Sequence, residues 1–164
     1  MSDLAAVIDR FEQRAALLRR AVQGLSEQDL HARLGPGAWS IHEVVIHLAD
    51  SDAILMDRMK RVIAEQEPRF FSADESAYVQ RLHCDAQSLE DALTLFEVGR
   101  RQFARVLRRL SPADFERAGH HNIAGRVTLR DLLQTCVKHL DHHLPFIIQK
   151  RGALGKPLDG GLIA

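Results

Sequence analysis

Apolar residues recur at three- and four-residue steps along most of the chain, which is the spacing of one face of an α-helix. In the first such segment, over residues 3 to about 22, the run closes at Gly24. Its apolar positions are Leu4, Val7, Ile8, Phe11, Ala15, Leu18 and Val22. Sustained alternation of apolar and polar residues, which marks a half-buried strand, is weak throughout. The pattern therefore predicts a protein built from helices.

Serine or threonine precedes each of the later helical segments and can cap its exposed backbone amides. The clearest start is "SIHE", where Ser40 and Glu43 form a capping box ahead of a helix predicted to end near Glu65, before Pro68. The other predicted segments are a short turn at Ser26, a short helix from Ser72 to about Cys84, and long helices from Ser88 to about Leu110 and from Thr128 to about Lys150.

Four helices of about 20 residues, each about 30 Å long, have the size and pattern of a four-helix bundle. We therefore predict an all-α fold, a four-helix bundle with short extra helices. Residues 1–152 are predicted to form its single domain. Residues 153–164, which contain three glycines, are predicted to form a flexible C-terminal tail.

The composition is that of an ordinary globular protein, with 46% hydrophobic and 27% charged residues. The 22 basic residues balance the 22 acidic ones, so the chain has no overall attraction for nucleic acid or anionic lipid. No apolar run reaches the roughly 18 residues of a membrane span, and the N-terminus has no secretory pattern. Two cysteines, Cys84 and Cys136, make no disulfide framework. We predict a cytoplasmic protein that binds neither nucleic acid nor membrane.

Three of the nine histidines lie within five positions of the last helix, in "VKHLDHHLPF". When the helix is projected at about 100° per residue, His139 and His143 fall beside the apolar stripe, whereas His142 turns away from it. Residues four apart stand on the same side of a helix, so these two rings can reach one ion. The pair alone is a weak signal, because a zinc site normally needs three protein ligands and either histidine can instead be buried and hydrogen-bonded.

The second long helix supplies a third histidine. His47 lies on the flank of that helix's apolar stripe, where a side chain can meet a neighbouring helix and stay within reach of water. His42 lies further from the centre of the stripe, and we expect it on the solvated surface. The periodicity permits His47, His139 and His143 to form one set of three imidazoles, but it does not require this.

Around these residues the sequence resembles the DinB-like superfamily, and especially its YfiT-like branch. The first motif of that branch places a Trp before a helix with His-Leu-Ala-Asp-Ser, followed by an Arg and a Glu-x-Pro stop. Here its residues are Trp39, His47, Leu48, Ala49, Asp50, Ser51, Arg58, Glu67 and Pro68. The second motif, "RVTLRDLLQTCVKHLDHH", is similar to the last helix of the family. The resemblance covers residues 36–82 and 117–147.

The resemblance implies a four-helix bundle that binds one divalent metal through His47, His139 and His143. Three neutral imidazoles leave a coordination position open for water or substrate, as in catalytic metal sites. Nitrogen ligands of this kind suit Zn²⁺ or Ni²⁺. The predicted cofactor is therefore a divalent metal, with a low-molecular-weight thiol as a second small molecule.

Three further residues are predicted to support the site. Asp50 is either an acceptor for the N–H of a ligand ring or a solvated helix carboxylate. Arg58 either holds a substrate carboxylate or forms a surface ion pair. His121, in a loop "GHHNIAG" that resembles one of the family, is a candidate for lining the pocket. Pro145 departs from the relatives, and we expect it to kink or end the last helix because it has no amide for the Asp141 carbonyl.

The leading functional hypothesis comes from family members that resemble thiol S-transferases. It is a metal-dependent transferase that activates a small thiol, such as bacillithiol or mycothiol, and conjugates or isomerises an electrophile. The same ligands would serve a metal-dependent hydrolase that uses metal-bound hydroxide. A third hypothesis is a non-enzymatic, stress-related metal-binding protein. The predicted partners are the small-molecule thiol and its electrophile, and the predicted assembly is a homodimer.

Overall fold

The computed structural model describes residues 2–158 and confirms the predicted four-helix bundle. Its α-helices are α1 (Ser2–Gln13), α2 (Ala15–Val22), α3 (Glu27–His31), α4 (Ile41–Ala64), α5 (Glu75–Arg81), α6 (Leu89–Leu107) and α7 (Leu129–Ala153). Two short 3₁₀ turns lie at Cys84–Ala86 and Pro112–Glu116. The helices α1 and α2 together form one rod of the bundle, and both pack against α6 and α7. The α4 helix packs against α6 and α7 and completes the four rods.

The predicted helix starts agree closely with the structure. Ser40 and Glu43 form the predicted capping box of α4, and Thr128 and Asp131 form another at the start of α7. The short helix α5 begins later than predicted, because Asp74 is its cap and accepts a hydrogen bond from the Ala77 amide. Each cap satisfies backbone amides that have no partner inside the helix.

The first predicted helix, over residues 3 to about 22, is two helices in the structure. The break is confined to Arg14, whose amide still donates to the Arg10 carbonyl at 3.1 Å. The carbonyl of Arg14 accepts from the Leu17 amide at 3.0 Å, so the chain resumes helical bonding within one turn. The apolar face predicted for this segment is kept across the break, with Phe11 and Leu18 fully buried.

A small sheet beside the bundle has no counterpart in the sequence prediction. Its strands are β1 (Arg69–Phe70), β2 (Ala118–His121) and β3 (Gly125–Thr128), with β1 parallel to β2 and β2 antiparallel to β3. Strands of two to four residues are too short to show an alternating pattern. Gly119 allows the close packing, since a Cβ there would lie 2.4 Å from the ring of Phe70. The sheet joins the chain after α4 to the chain before α7.

The last helix does not end at Pro145, which was one of the two effects that we expected of this proline, and α7 continues to Ala153. The proline removes one backbone hydrogen bond, but the packing of buried residues on both sides keeps the helix regular enough to continue. In the last turn of α7, the Arg151 guanidinium donates to the carbonyl of Lys156, which lies beyond the helix, at 2.9 Å. The remaining residues of the predicted tail, 159–164, lie outside the described residues.

The apolar core consists of two clusters, one at each end of the bundle. Along α4 and α6 the clusters are separated by two charged residues, Asp52 and Arg100, which form a buried ion pair. Along the bundle, His47 of α4 and His139 of α7 lie close to the level of this ion pair. The middle of the bundle is therefore polar. Among the helices of residues 2–158, none combines the length and hydrophobicity needed to cross a bilayer.

Candidate metal centre

Three histidine rings from two helices meet in the polar middle of the bundle. The α4 helix carries His47, and α7 carries His139 and His143 one turn apart. The Nε2 atom of His139 lies 3.1 Å from Nε2 of His47 and 3.2 Å from Nε2 of His143. One nitrogen of each ring lies within 4.8 Å of the other two. The structure thus brings together the three histidines that the helical projection allowed and the resemblance selected.

Hydrogen bonding cannot satisfy this group of rings. A ring nitrogen of a neutral imidazole carries either one proton or one lone pair. The Nε2 atom of His139 can therefore pair with His47 or with His143, but not with both. A cation between the rings would accept a lone pair from all three nitrogens. The residues present thus fit a metal ion better than they fit one another.

The three rings are kept neutral by their surroundings. The pKa of His47 is lowered to about 4, mainly by burial in the bundle and in addition by the positive charge that His143 would carry. Burial likewise lowers the pKa values of His139 and His143 to about 4, with the neighbouring rings adding to the effect. A metal-ligating histidine must be neutral, because the metal binds the lone pair of the unprotonated nitrogen. The rings are therefore ready to bind a cation at pH 7 without first losing protons.

The outer nitrogens of the rings differ in their contacts. Nδ1 of His47 lies 3.4 Å from the Ser51 hydroxyl, which can accept a hydrogen bond from Nδ1–H and so favour the tautomer with its lone pair on Nε2. Nδ1 of His139 is buried and has no hydrogen-bond partner among the described residues. The indole of Trp39 lies against His47, with ring centroids 4.9 Å apart, and covers the side of the site nearest the start of α4.

A cavity of about 230 Å³ adjoins the histidines. Its walls include His47 and His139, so a molecule bound in the cavity would reach the site. Ile54 and Leu55 contribute apolar surface, and residues that follow β1 and lie at the start of α5 also line the cavity. The cavity gives the site a place for a small substrate beside the three rings.

The three predicted supporting residues, Asp50, Arg58 and His121, all line this cavity. The Asp50 carboxylate makes no hydrogen bond to a ligand ring, which was one of its two interpretations, and its buried Oδ2 has no hydrogen-bond partner among the described residues. Burial raises the pKa of Asp50. The side-chain contact to a ligand ring comes from the next residue, Ser51.

Arg58 does not form the surface ion pair that was its alternative interpretation. Its guanidinium donates to the carbonyl of Phe71, and burial lowers its pKa. No carboxylate of residues 2–158 lies within ion-pair distance of it, although Asp57 is close enough to act on its pKa. The remaining N–H groups of Arg58 are therefore available to an anion in the cavity.

His121 has a defined tautomer. Its Nδ1 accepts hydrogen bonds from the amides of Ile123 and Ala124 at 3.2 and 3.1 Å. The proton of the neutral ring must then sit on Nε2. His121 consequently offers a hydrogen-bond donor at the wall of the cavity, as expected for a residue that lines the pocket.

Two histidines outside the triad of His47, His139 and His143 differ in their environment. His142 is exposed, in agreement with the projection, and its ring packs against Phe146. His42 was expected at the solvated surface but is only 3% exposed. Its Nε2 donates to the carbonyl of Cys84 at 2.9 Å, because the loop after α5 folds over the start of α4. Periodicity within α4 alone could not reveal this cover.

One acidic residue beside the triad was missed in the sequence. Glu75, the first residue of α5, places Oε2 3.9 Å from Nε2 of His47. It stands in the "SADE" segment, which we interpreted only as a helix start. No spacing links Glu75 to the histidines, because their proximity depends on how α5 folds back onto α4.

Comparison with known proteins places the chain in a family. The model of the DinB superfamily matches residues 10–147. The chain belongs to the DinB superfamily. This DinB protein is 30% identical over 140 residues to a protein of Oceanobacillus iheyensis, covering 85% of this chain and 81% of the relative. It is 27% identical to YfiT of Bacillus subtilis over 149 residues, covering 90% of this chain and 84% of YfiT. Both relatives are provisionally named as metal-dependent hydrolases.

A solved structure of YfiT from Bacillus subtilis has the same fold as this DinB protein. The two superpose with a TM-score of 0.88 at 26% identity, and the match covers 94% of this chain and 89% of YfiT. That YfiT structure is described as a probable metal-dependent hydrolase with an unusual four-helix bundle topology. The predicted family and fold are both confirmed.

Proposed function

We propose that this DinB protein is a metal-dependent enzyme whose divalent cation, Zn²⁺ or Ni²⁺, is held by His47, His139 and His143. The observation that carries the proposal is the meeting of three Nε2 atoms that cannot satisfy one another by hydrogen bonding. The neutral rings and the adjoining cavity support it further. When bound, the cation supplies Lewis-acid activation of a small nucleophile, either a thiol or water.

The protein's own side chains would then bind and orient the second substrate. Arg58 faces the cavity with donors that have no acidic partner among the described residues, so it suits a carboxylate or a similar anion. His121 offers its Nε2 proton to an acceptor on the same molecule. Ile54 and Leu55 would pack against the apolar part.

We propose thiol transfer as the reaction. A low-molecular-weight thiol would lose its proton to solvent water, and its sulfur would form a new bond to the carbon of an electrophile while the leaving group departs with the electrons of its bond to that carbon. The protein's own thiols cannot take this role, because Cys84 and Cys136 are fully buried and burial raises the pKa of each. A thiol reacting in this cavity must therefore come from a small molecule.

Hydrolysis is the second candidate. The provisional names of the relatives favour it, and so does the Glu75 carboxylate at the edge of the site, because an acidic side chain can orient a water molecule. The same three histidines would be used. The substrate would again enter the cavity beside Arg58.

Two assays on the metal-loaded protein distinguish these reactions. Loss of free thiol is measured with a chlorinated or epoxide electrophile, and ester and amide hydrolysis is measured without thiol. Thiol loss that disappears in His143→Ala supports transfer, whereas hydrolysis without thiol supports the second candidate. Tight metal binding with neither activity would contradict an enzymatic role and favour a metal-binding protein. Analytical ultracentrifugation of the same samples tests the predicted homodimer.

A further inference from the structure

Glu75 occupies an unusual position beside the proposed metal site. Its Oε2 atom lies 3.9 Å from Nε2 of His47, on the ring nitrogen that also faces His139. The carboxylate lines the same cavity as these two rings. Among the described residues, no Lys or Arg side chain lies within ion-pair distance of it, and His47 is its single neighbour of that kind.

This contact is too long to be a hydrogen bond, because 3.9 Å separates the carboxylate oxygen of Glu75 from Nε2 of His47. If the Nε2 lone pair of His47 points at the centre of the triad, an anionic oxygen and a lone pair face the same space. That arrangement is repulsive unless a positive charge lies there. A cation held by the three histidines would turn the repulsion into attraction.

The backbone of Glu75 is well anchored despite the exposure of its side chain, which is 59% accessible. Asp74 caps α5 through the Ala77 amide, and Val79 of α5 is buried in the core. The preceding loop is tied to the small sheet, because the Ser72 amide donates to the side chain of Asn122 at 2.8 Å. The backbone of Glu75 is therefore held beside the site by α5, and only the Glu75 side chain needs to rotate for its carboxylate to reach the centre of the three rings.

We propose that Glu75 is the fourth side chain of the metal centre, binding the cation held by His47, His139 and His143 either directly or through one water molecule. This inference rests on the proposed metal site and adds an oxygen donor to it. One carboxylate neutralises half of the charge of a divalent cation. A set of three imidazoles and one carboxylate suits Zn²⁺ and Ni²⁺ and disfavours Cu⁺, which prefers thiolate and thioether ligands.

The test compares Glu75→Gln with the full-length wild-type protein and two other variants. Asp50→Asn removes an acidic group from the same cavity without touching a ligand ring, so it controls for general charge. His143→Ala removes a proposed ligand. Zn²⁺ affinity is measured by competition with a chromophoric chelator, and the ligand-field spectrum is recorded with Co²⁺. The melting temperature of each metal-free variant checks its folding.

We expect Glu75→Gln to weaken Zn²⁺ binding by about 10- to 100-fold, the loss typical of a residue that supports a metal through a ligand or water. The Co²⁺ spectrum should change in Glu75→Gln and stay the same in Asp50→Asn. Unchanged affinity and spectrum in Glu75→Gln would overturn the role of Glu75, and so would an equal loss of affinity in both variants. A wild-type protein that binds no metal would overturn the three-histidine site itself, which separates the two failures.

Discussion

Two polar groups lie in the middle of the bundle, and they differ in whether their polar atoms have partners within the protein. In the first, the Arg100 guanidinium is 0% exposed and bonds to both oxygens of Asp52, at 2.6 and 2.8 Å. It also donates to the carbonyl of Cys136 at 2.9 Å. The rings of Phe11 and Phe96 lie within 5 Å of its charge and complete a closed shell. This ion pair has a partner for each of its charges.

The second group consists of the three histidines, and its ring nitrogens do not all have hydrogen-bond partners. Two of its nitrogens compete for the Nε2 atom of His139, and the Nδ1 atom of the same ring has no partner among the described residues. Buried polar atoms in folded proteins are nearly always paired, and unpaired ones call for an explanation. The contrast supports the proposal that the three histidines bind a cation, whereas the ion pair of Asp52 and Arg100 stabilises the fold.

The largest expected effect is the loss of stability when one partner of the ion pair is removed. Asp52→Ala leaves the Arg100 guanidinium buried without its counter-charge, so we expect a loss of about 3–5 kcal/mol in the free energy of unfolding. Urea denaturation of the metal-free protein measures this loss. The control is the double variant Asp52→Leu with Arg100→Met, which removes both charges. It should recover much of the stability that Asp52→Ala loses, because two apolar side chains need no polar partners. A loss below about 1 kcal/mol in Asp52→Ala would mean that the pair is not a structural element.

The histidine group should respond to metal instead. Zn²⁺ at about 100 times its dissociation constant should raise the free energy of unfolding by about 2.7 kcal/mol, because the ion binds only the folded protein. In His143→Ala the metal-free stability should change little, since His143 competes with His47 for the same nitrogen of His139 and its loss leaves the other pairing intact, while the gain from Zn²⁺ should largely disappear. Denaturation with and without metal measures both quantities. Equal stabilisation of wild type and variant would contradict a role for His143 as a ligand.

The contrast also explains what the sequence could reveal. Caps and apolar periodicity are local signals, so Ser40 and Thr128 predicted the first residues of α4 and α7 to within one position. The spacing of His139 and His143 is equally local, which is why the pair could be recognised on α7. His47 could be joined to them only through the family resemblance, since nothing in the spacing connects two distant helices.

The features that were missed all depend on contacts between distant segments. Arg100 looks like any arginine of an amphipathic helix, and its burial follows from Asp52 on another rod of the bundle. Glu75 and His42 owe their surroundings to the fold of α5 and its following loop over α4. The strands β1 to β3 are too short for periodicity to show. Tertiary packing decides each of these environments, and local patterns do not encode it.

A smaller effect is expected from pH on the metal-free protein. The pKa values of the three histidines are about 4 in the folded protein and near 6.5 in an unfolded chain. Between these values the unfolded chain binds more protons, so the free energy of unfolding should fall as pH drops from about 6.5 towards 4 and should hold steady above that range. The fall should be shallower in His143→Ala, which has one fewer such ring. Urea denaturation across this pH range gives the comparison, and parallel curves would contradict the lowered pKa of His143.

The smallest effect concerns Ser51, the one side chain among residues 2–158 that reaches the outer nitrogen of His47. Its contact of 3.4 Å is longer than a strong hydrogen bond, so Ser51→Ala should weaken Zn²⁺ binding by about tenfold or less. The metal-free stability should stay within about 0.5 kcal/mol of wild type, because a half-exposed hydroxyl contributes little to the fold. Chelator competition and urea denaturation of the same preparations measure the two effects side by side. If Ser51→Ala lowered stability and left Zn²⁺ affinity unchanged, the hydroxyl would serve the fold as Arg100 does, and the division between the two polar groups would fail at this residue.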